Sequence, residues 1–519
     1  MSTDEVVVGI DLGTSVVKAG VYTCDGRLCS AASVPVGMCH GPHGLVEQDL
    51  DEFYAAAASA TRAAQAGGAA SRRVVGLALA GQMAGVGIVG PDHRPLAPYD
   101  SWLDTRCADV VDELATTHGE RIARSAGCAP TVSIGPKMLW WRRHRPQVLD
   151  RAASFVTAAG YVAGRAVGLS GHEAFIDPSY LHFASFTDVG AGAWDTALAR
   201  DCGVDVALLP RVVEGADAVG ALTSAAAADF GLPVGVPVAA GCGDTAASAL
   251  GAGVFEAGQG FDVAGTAGVF GVCLPAFVPD VRTGTLMTMR SALPGRWYSL
   301  AYVAGAGQLV EWACWELLGC GDLDDAAYAV LADAVSSVPV GSGGVVAFPH
   351  LSGRVAPAAP EVRGAFVGLT PMTTHAHLAR AVLESIALEY RGYAQIVRQG
   401  AGPDAVTEVV GTGGGSRSEV WNQIKADALG VPYRPVVGVD PGTRGAAVLA
   451  MAALGIACPP LGSHDLAPAS MPNPVAGGAY AQAAESYRRW ADILVAGYAR
   501  AGSSGSAGHS NGRERAEQQ

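Results

Sequence analysis

"GIDLGTSVVKAGVY", residues 9–22, sets an aspartate between two glycines in a chain that otherwise runs as a buried strand. The apolar run Val6 to Ile10 reads as a strand, Gly13 and Thr14 break it, and Val16, Val17, Ala19, Val21 and Tyr22 resume it beyond. Asp11, Gly13, Thr14 and Lys18 therefore gather around one tight turn. Glycine lets backbone amides approach a ligand, and a hydroxyl, an amine and successive N–H groups suit phosphate. A carboxylate inside an anion site repels the anion unless a cation lies between them, so Asp11 points to Mg²⁺. A hairpin whose Asp and Thr satisfy only their own turn fits the same residues equally well.

The chain has 519 residues, half of them hydrophobic and 16% charged, enough for two domains with separate cores. Its net charge of −14 argues against nucleic acid or an anionic membrane as partner, so an anionic ligand needs local groups and a metal. The longest apolar stretches are interrupted by Gln82 or Pro275 before they reach a membrane span, and the acidic N-terminus lacks the basic start of a signal peptide. Eleven scattered cysteines without a C-x-x-C pair read as reduced thiols of a cytoplasmic protein, with Cys314 and Cys320 filling one helix.

Strand-like runs alternate with Ala-rich helical runs, which is α/β patterning. A helix is expected from about Asp51, then a buried strand ending at Gly81 and Gln82. "GFDVAGTAGVFGVCL", residues 260–274, repeats the glycine-threonine turn, with Asp262, Gly265 and Thr266 echoing Asp11, Gly13 and Thr14. Two such turns suggest duplicated domains facing a shared cleft. Between them, a strand over Val236 to Ala240 leads through Gly243 to Asp244 at a helix start, which suits either an N-cap or a catalytic carboxylate. In "VVGTGGGSRSEVWNQIKADALG", residues 409–430, four glycines precede a helix opened by Ser416-x-x-Glu419 and closed by Gly430. Bare backbone before a helix N-terminus suits a purine, or simply a tight loop. Leu378, Val382, Ile386 and Tyr390 recur at four-residue steps as a core-facing stripe. Residues 501–519 read as a disordered tail.

Together with "GLVEQDLDEFY", "GQMAGVGIV", "SWLDTR", "GCGDTAASALGAG" and "GAFVGLTPMTTHAHLARAVLE", these segments resemble, in order, the FGGY carbohydrate kinases, and xylulokinase-like members most. The resemblance implies two actin-like ATPase (ribonuclease H-like) domains, a sugar-binding one over residues 1–247 and a nucleotide-binding one over 248–500, with ATP, Mg²⁺ and a small sugar or polyol between them. It implies Asp244 as catalytic base, Asp11 and Asp244 near the metal, and Gly13, Thr14, Lys18, Gly265 and Thr266 on the phosphates. Gly305, Gln308, Gly413, Gly414 and Asn422 would hold the nucleotide, and Gln82, Met83, Trp102, Asp104 and Asp244 the substrate, with Trp102 as an apolar wall unless it merely packs in the core. A homodimer is the assembly considered. A ketopentose or related polyol leads over a hexulose, tetritol or sugar acid, and over a non-catalytic binding protein; Ala84 and Thr245 depart from the histidine and asparagine usual in xylulokinases, so the resemblance supports phosphoryl transfer better than xylulose itself, and D-xylulose is expected to be a poorer substrate than some other ketose or polyol.

Overall fold

Val6, Val7, Val8, Ile10 and Leu12 are all fully buried, so the strand β1 (Glu5–Leu12) is covered on both faces and needs a near-continuous apolar run. The computed structural model describes residues 4–462 and 465–505. Antiparallel to β1 lies β2 (Val16–Thr23), and beyond it β3 (Leu28–Pro35). Helix α1 (Leu50–Ala66), N-capped by Asp49, leads to β4 (Arg73–Gly81), which is parallel to β1 and is followed in the sheet by β5 (Pro237–Ala239). Strand order is thus β5-β4-β1-β2-β3, with Ala218–Ala221 at the β5 edge. A short α2 (Asp244–Gly251) ends this half.

The second half repeats the plan. β6 (Gln259–Ala264), β7 (Gly268–Leu274) and β8 (Trp297–Val303) form an antiparallel set. Helices α3 (Ala306–Trp312), α4 (Asp325–Ser336) and α5 (His375–Ala401) follow. Next come β9 (Glu408–Thr412), parallel to β6, then α6 (Glu419–Leu429) and β10 (Tyr433–Pro435). The order β8-β7-β6-β9-β10 mirrors that of the first sheet, so the chain is a two-domain α/β protein built from one repeated topology. Helix α7 (Pro441–Ala453) then crosses onto the first half, where Thr443 O lies against Gly9 of β1 and Gly445 against Ala247 of α2. The last helix, α8 (Pro474–Gly505), packs Tyr480 and Tyr487 on the second core.

Several sequence expectations need correction. The division at 247/248 falls inside α2. Helix α8 runs five residues into the stretch read as a tail from 501, and residues 506–519 lie outside the described residues. Cys314 sits in a π-helical turn over Ala313–Leu317 and Cys320 follows it, so one regular helix does not carry both. The cap of α6 is Ser418, whose hydroxyl accepts from Trp421 N, while Ser416 belongs to the preceding 3₁₀ turn.

Asp262 does not echo Asp11. Two residues before each glycine-threonine pair stand Asp11 in the first hairpin and Val263 in the second. Asp262 points instead into the core, where Lys425 Nζ lies 2.5 Å away and the hydroxyls of Tyr433 and Tyr390 donate at 2.7 and 2.9 Å. Both members of that ion pair are fully buried, and Lys425 lies 3.8 Å from the Trp421 ring centre. Removing one partner of such a pair strands the other charge, so Lys425→Met is expected to cost about 3–5 kcal/mol in urea unfolding. The double variant Lys425→Met/Asp262→Asn should recover part of the loss. Equal stabilities for parent and single variant would show the pair to be energetically idle.

Candidate active site

The hairpin turn of β1 and β2, the end of β4 and the start of α2 all meet at one edge of the first sheet. Register makes this explicit: Ala80 pairs with Asp11 on one side and with Cys242 on the other, two residues before Asp244. Asp11 is only partly covered as a residue, yet its Oδ1 is sealed from solvent and has no hydrogen-bond partner. Burial, then the charges of Asp244 and Asp440, push its carboxyl up to about 7, against the pull of Lys18. An orphaned, buried, electron-rich oxygen of this kind fits a cation brought in with phosphate. Among the described residues no three His, Cys, Asp or Glu side chains group closely enough to hold a metal by themselves.

Lys18 Nζ lies 2.7 Å from Asp440 Oδ2. Asp440 caps α7, accepting from Thr443 N at 3.0 Å. Burial pushes the Asp440 carboxyl up, but the Lys18 contact and the cap donors outweigh it and hold it below its ordinary range. Gly442 lies so close above Asp11 that a Cβ there would stand 2.6 Å from Oδ2. The second half therefore walls the phosphate turn of the first. Asp440 was missed in the sequence because Asp-Pro at a helix start signals only a cap.

Asp244 is the first residue of α2, and Gly243 occupies the N-cap position. Its Oδ1 accepts from the amide of the next residue, Thr245, at 2.6 Å and from that hydroxyl at 3.2 Å. It is therefore not the helix cap. Burial pushes its carboxyl up to about 6, while the Thr245 bonds oppose the shift.

Beside it stand the expected substrate residues. Met83 packs on Gly243, where an added Cβ would meet its methyl at 2.6 Å. Gln82 is buried, with Nε2 donating to Gln48 Oε1 at 2.8 Å and Oε1 without a partner. Ala84 adopts a left-handed backbone with φ of 61°, and its carbonyl accepts from the buried Lys137 Nζ at 3.0 Å. The same ammonium binds Ser101 O at 2.6 Å, clamping the 82–84 and 101–104 loops together. Trp102 is 46% exposed and so is not a core residue; its indole N–H donates to Thr14 Oγ1 at 2.9 Å. Asp104 departs from expectation. Its carboxylate takes Val46 N at 2.8 Å and Arg106 N and Nε at 3.1 and 2.8 Å, bracing the Trp102 loop rather than offering itself to a hydroxyl. Gln48 lies within the segment "GLVEQDLDEFY" that carries the resemblance but has no role assigned to it there, and Lys137 lies in none of the segments singled out.

On the other side of the cleft, Gly265 and Thr266 open a cavity of about 570 Å³. Its walls come from Val310 of α3, Tyr328 of α4, Leu383 of α5 and Trp421 of α6, with Gly414 at the rim. Of the five residues expected at the nucleotide, Gly414 alone lines it. Gly305 and Gln308 sit at the start of α3 outside the cavity walls. Gly413 turns toward Ala264 O, and buried Asn422 donates to Ser416 O at 2.7 Å, so both shape the glycine turn from behind. The apolar walls were not legible because no motif in residues 306–336 marks Val310 or Tyr328 as facing a cavity.

Two family models match this chain: the N-terminal domain of the FGGY family of carbohydrate kinases over residues 6–251, and its C-terminal domain over 262–454. The xylulose kinase of Escherichia coli K12 is 31% identical over 86% of this chain and 90% of its own length. The erythritol kinase of Brucella abortus is 29% identical over 87% and 88%. Among solved structures, the xylulose kinase of Rhodospirillum rubrum superposes with a TM-score of 0.85 at 26% identity, covering 95% of this chain and 99% of that one. With both domain models matched in order across most of its length, the chain belongs to the FGGY family of carbohydrate kinases.

Proposed function

We propose that this kinase transfers the γ-phosphate of ATP to a hydroxyl of a ketopentose such as xylulose, or of a related polyol, with Asp244 as the base. The observation that carries the reading is Asp244 itself: a carboxyl at about 6, not committed as a cap, between the phosphate turn and the Gln82–Met83 loop. Both halves are then actin-like ATPase domains, a reading supported by the common strand order of the two sheets. Sugar sits on the half that ends with α2 and nucleotide on the other. Localisation is cytoplasmic, with a homodimer as the assembly and no nucleic-acid or membrane partner; among the described residues no helix is long and apolar enough to cross a membrane.

In this mechanism Trp102 and Gln82 orient the sugar so that one hydroxyl meets Asp244. Thr14 and Thr266 donate to phosphoryl oxygens from opposite halves, and Lys18 adds charge while tethered to Asp440. Asp11 would hold Mg²⁺ through its unpartnered oxygen, and the metal supplies neutralisation of the transferring group's charge. Little covalent work is left to the protein, so positioning dominates and the proton passes to Asp244 late.

A different substrate, a tetritol, is favoured by one observation: Ala84 replaces the histidine usual in xylulokinases, which would remove a polar partner from the sugar site, and one relative is an erythritol kinase. A panel of pentuloses, hexuloses, tetritols and sugar acids, read by ADP release, tests the reading as a whole. No ADP above background with any sugar would refute it.

Three variants test its parts. Asp244→Asn should keep MgATP affinity yet lower kcat on the order of 10²–10⁴-fold. In the parent, kcat/KM should rise with pH through about 6, because the raised carboxyl must be ionised to accept a proton, and the limb should vanish in Asp244→Asn. Near-parental kcat in that variant would remove Asp244 from the chemistry.

At Gly414 an added Cβ meets nothing within 4 Å, so Gly414→Val should fold normally. Its side chain would enter the cavity, and KM for MgATP should rise about 10-fold or more with Tm unchanged. Unchanged nucleotide affinity would move the purine elsewhere.

Ala84→His tests substrate choice. Histidine tolerates the left-handed backbone better than most residues. A site that pairs a hydroxyl discriminates by roughly 10⁴ in favourable cases, so kcat/KM should shift toward D-xylulose over erythritol. D-xylulose as already the best parental substrate by a wide margin would show that position 84 does not govern specificity.

A further inference from the structure

Two hydrogen-bonded paths from the sugar side end on Thr14. The first is direct, from Trp102 Nε1–H to Thr14 Oγ1 at 2.9 Å. An indole nitrogen only donates, so the Thr14 hydroxyl accepts here and its own proton is left for an oxyanion. The second runs through Gln48, which is buried and whose Nε2 donates to two backbone carbonyls, Thr14 O at 2.9 Å and Gly37 O at 3.1 Å. Those two acceptors dictate which end of the amide is which. Gln48 Oε1 must then face Gln82, which answers with Nε2 and keeps Oε1 as an unused acceptor. One turn residue thus has its hydroxyl and its carbonyl held by side chains that face, directly or at one remove, the sugar pocket.

Resting on the kinase reading above, we propose that Trp102 and Gln48 are positioning residues that couple sugar binding to MgATP binding through Thr14. The Trp102 ring is 46% exposed, and its indole N–H meets Thr14 at the ring edge. A sugar packed on the open face favours the ring position in which N–H meets Thr14 and turns the hydroxyl proton toward phosphate. A hydroxyl donating to Gln82 Oε1 tightens the amide chain that holds the Thr14 carbonyl. Because such coupling is reciprocal, MgATP tightens the sugar by the same factor.

Initial rates of the full chain over a matrix of D-xylulose and MgATP read the coupling factor, the ratio of KM for MgATP at trace and at saturating sugar. Calorimetric titration with magnesium and a non-hydrolysable ATP analogue, with and without D-xylulose, gives the same factor free of turnover. The parent should show about 5-fold or more. Trp102→Phe keeps an aromatic face and loses the N–H; it should bring the factor near 1, and by reciprocity KM for D-xylulose at saturating MgATP should rise by the factor lost. In a Thr14→Val background the same change should add nothing further. A parental factor of 1, or a Trp102→Phe protein that retains the parental factor, overturns the proposal. Absence of ADP formation with D-xylulose, erythritol and every other sugar of the panel instead sinks the kinase reading, and the coupling falls with it.

Discussion

The site depends on how closely α7 lies on the first half. A Cβ at Gly9 would stand 1.9 Å from Thr443 O, one at Gly251 1.9 Å from Pro441 O, and one at Gly445 1.9 Å from Ala247 O. No side chain survives at such distances, so three glycines on three elements let backbone meet backbone. The contact lowers the start of α7 onto the phosphate turn, which puts Gly442 above Asp11 and Asp440 beside Lys18. Ala446 to Met451 of α7 are buried and continue into the larger core cluster, so this approach is fixed by apolar packing rather than by the ion pair.

That closeness makes the ligand-free cleft electrostatically costly. Asp11 is raised from 3.8 to about 7, chiefly by burial and then by its two carboxylate neighbours. A folded carboxyl above its unfolded value contributes stability below pH 3.8 and loses it as pH rises through about 7, an effect on the order of a few kcal/mol for a carboxyl with one oxygen sealed from solvent. In the proposed mechanism a cation carried in with phosphate would relieve that charge and favour the ionised form, which would let a chain of net charge −14 accept a polyanion without a basic surface.

The strand-turn-strand at residues 9–22 was legible because its pattern is local: an apolar run, a glycine-threonine break, a second run. Asp244 at the head of an Ala-rich helix was legible for the same reason, although its freedom from capping required coordinates. Asp440 was not, because a capping aspartate looks the same wherever its helix lies. Asp262 misled, since one residue of offset along a strand sends a side chain to the opposite face and turns a candidate site carboxylate into half of a core ion pair. Ser416 misled by two residues, because a 3₁₀ turn intervened before α6. The cavity walls are contributed by four helices distant in sequence, and no single stretch carries that information.

The offset at Asp262 also accounts for the division of labour between two halves of one topology. Each hairpin brings a glycine and a threonine to the cleft, so each can offer amides and a hydroxyl to phosphate. Only the first adds a carboxylate, because Val263 stands where Asp11 stands in its counterpart. A second carboxylate across the cleft would face the same phosphates and oppose them by several kcal/mol at such range in a partly dry site. The second half instead keeps its aspartate in the core beside Lys425 and opens a largely apolar cavity, which suits the proposed nucleotide site. Asymmetry laid on a repeated sheet thus gives one side of the cleft the charge and the other the hydrophobic grip.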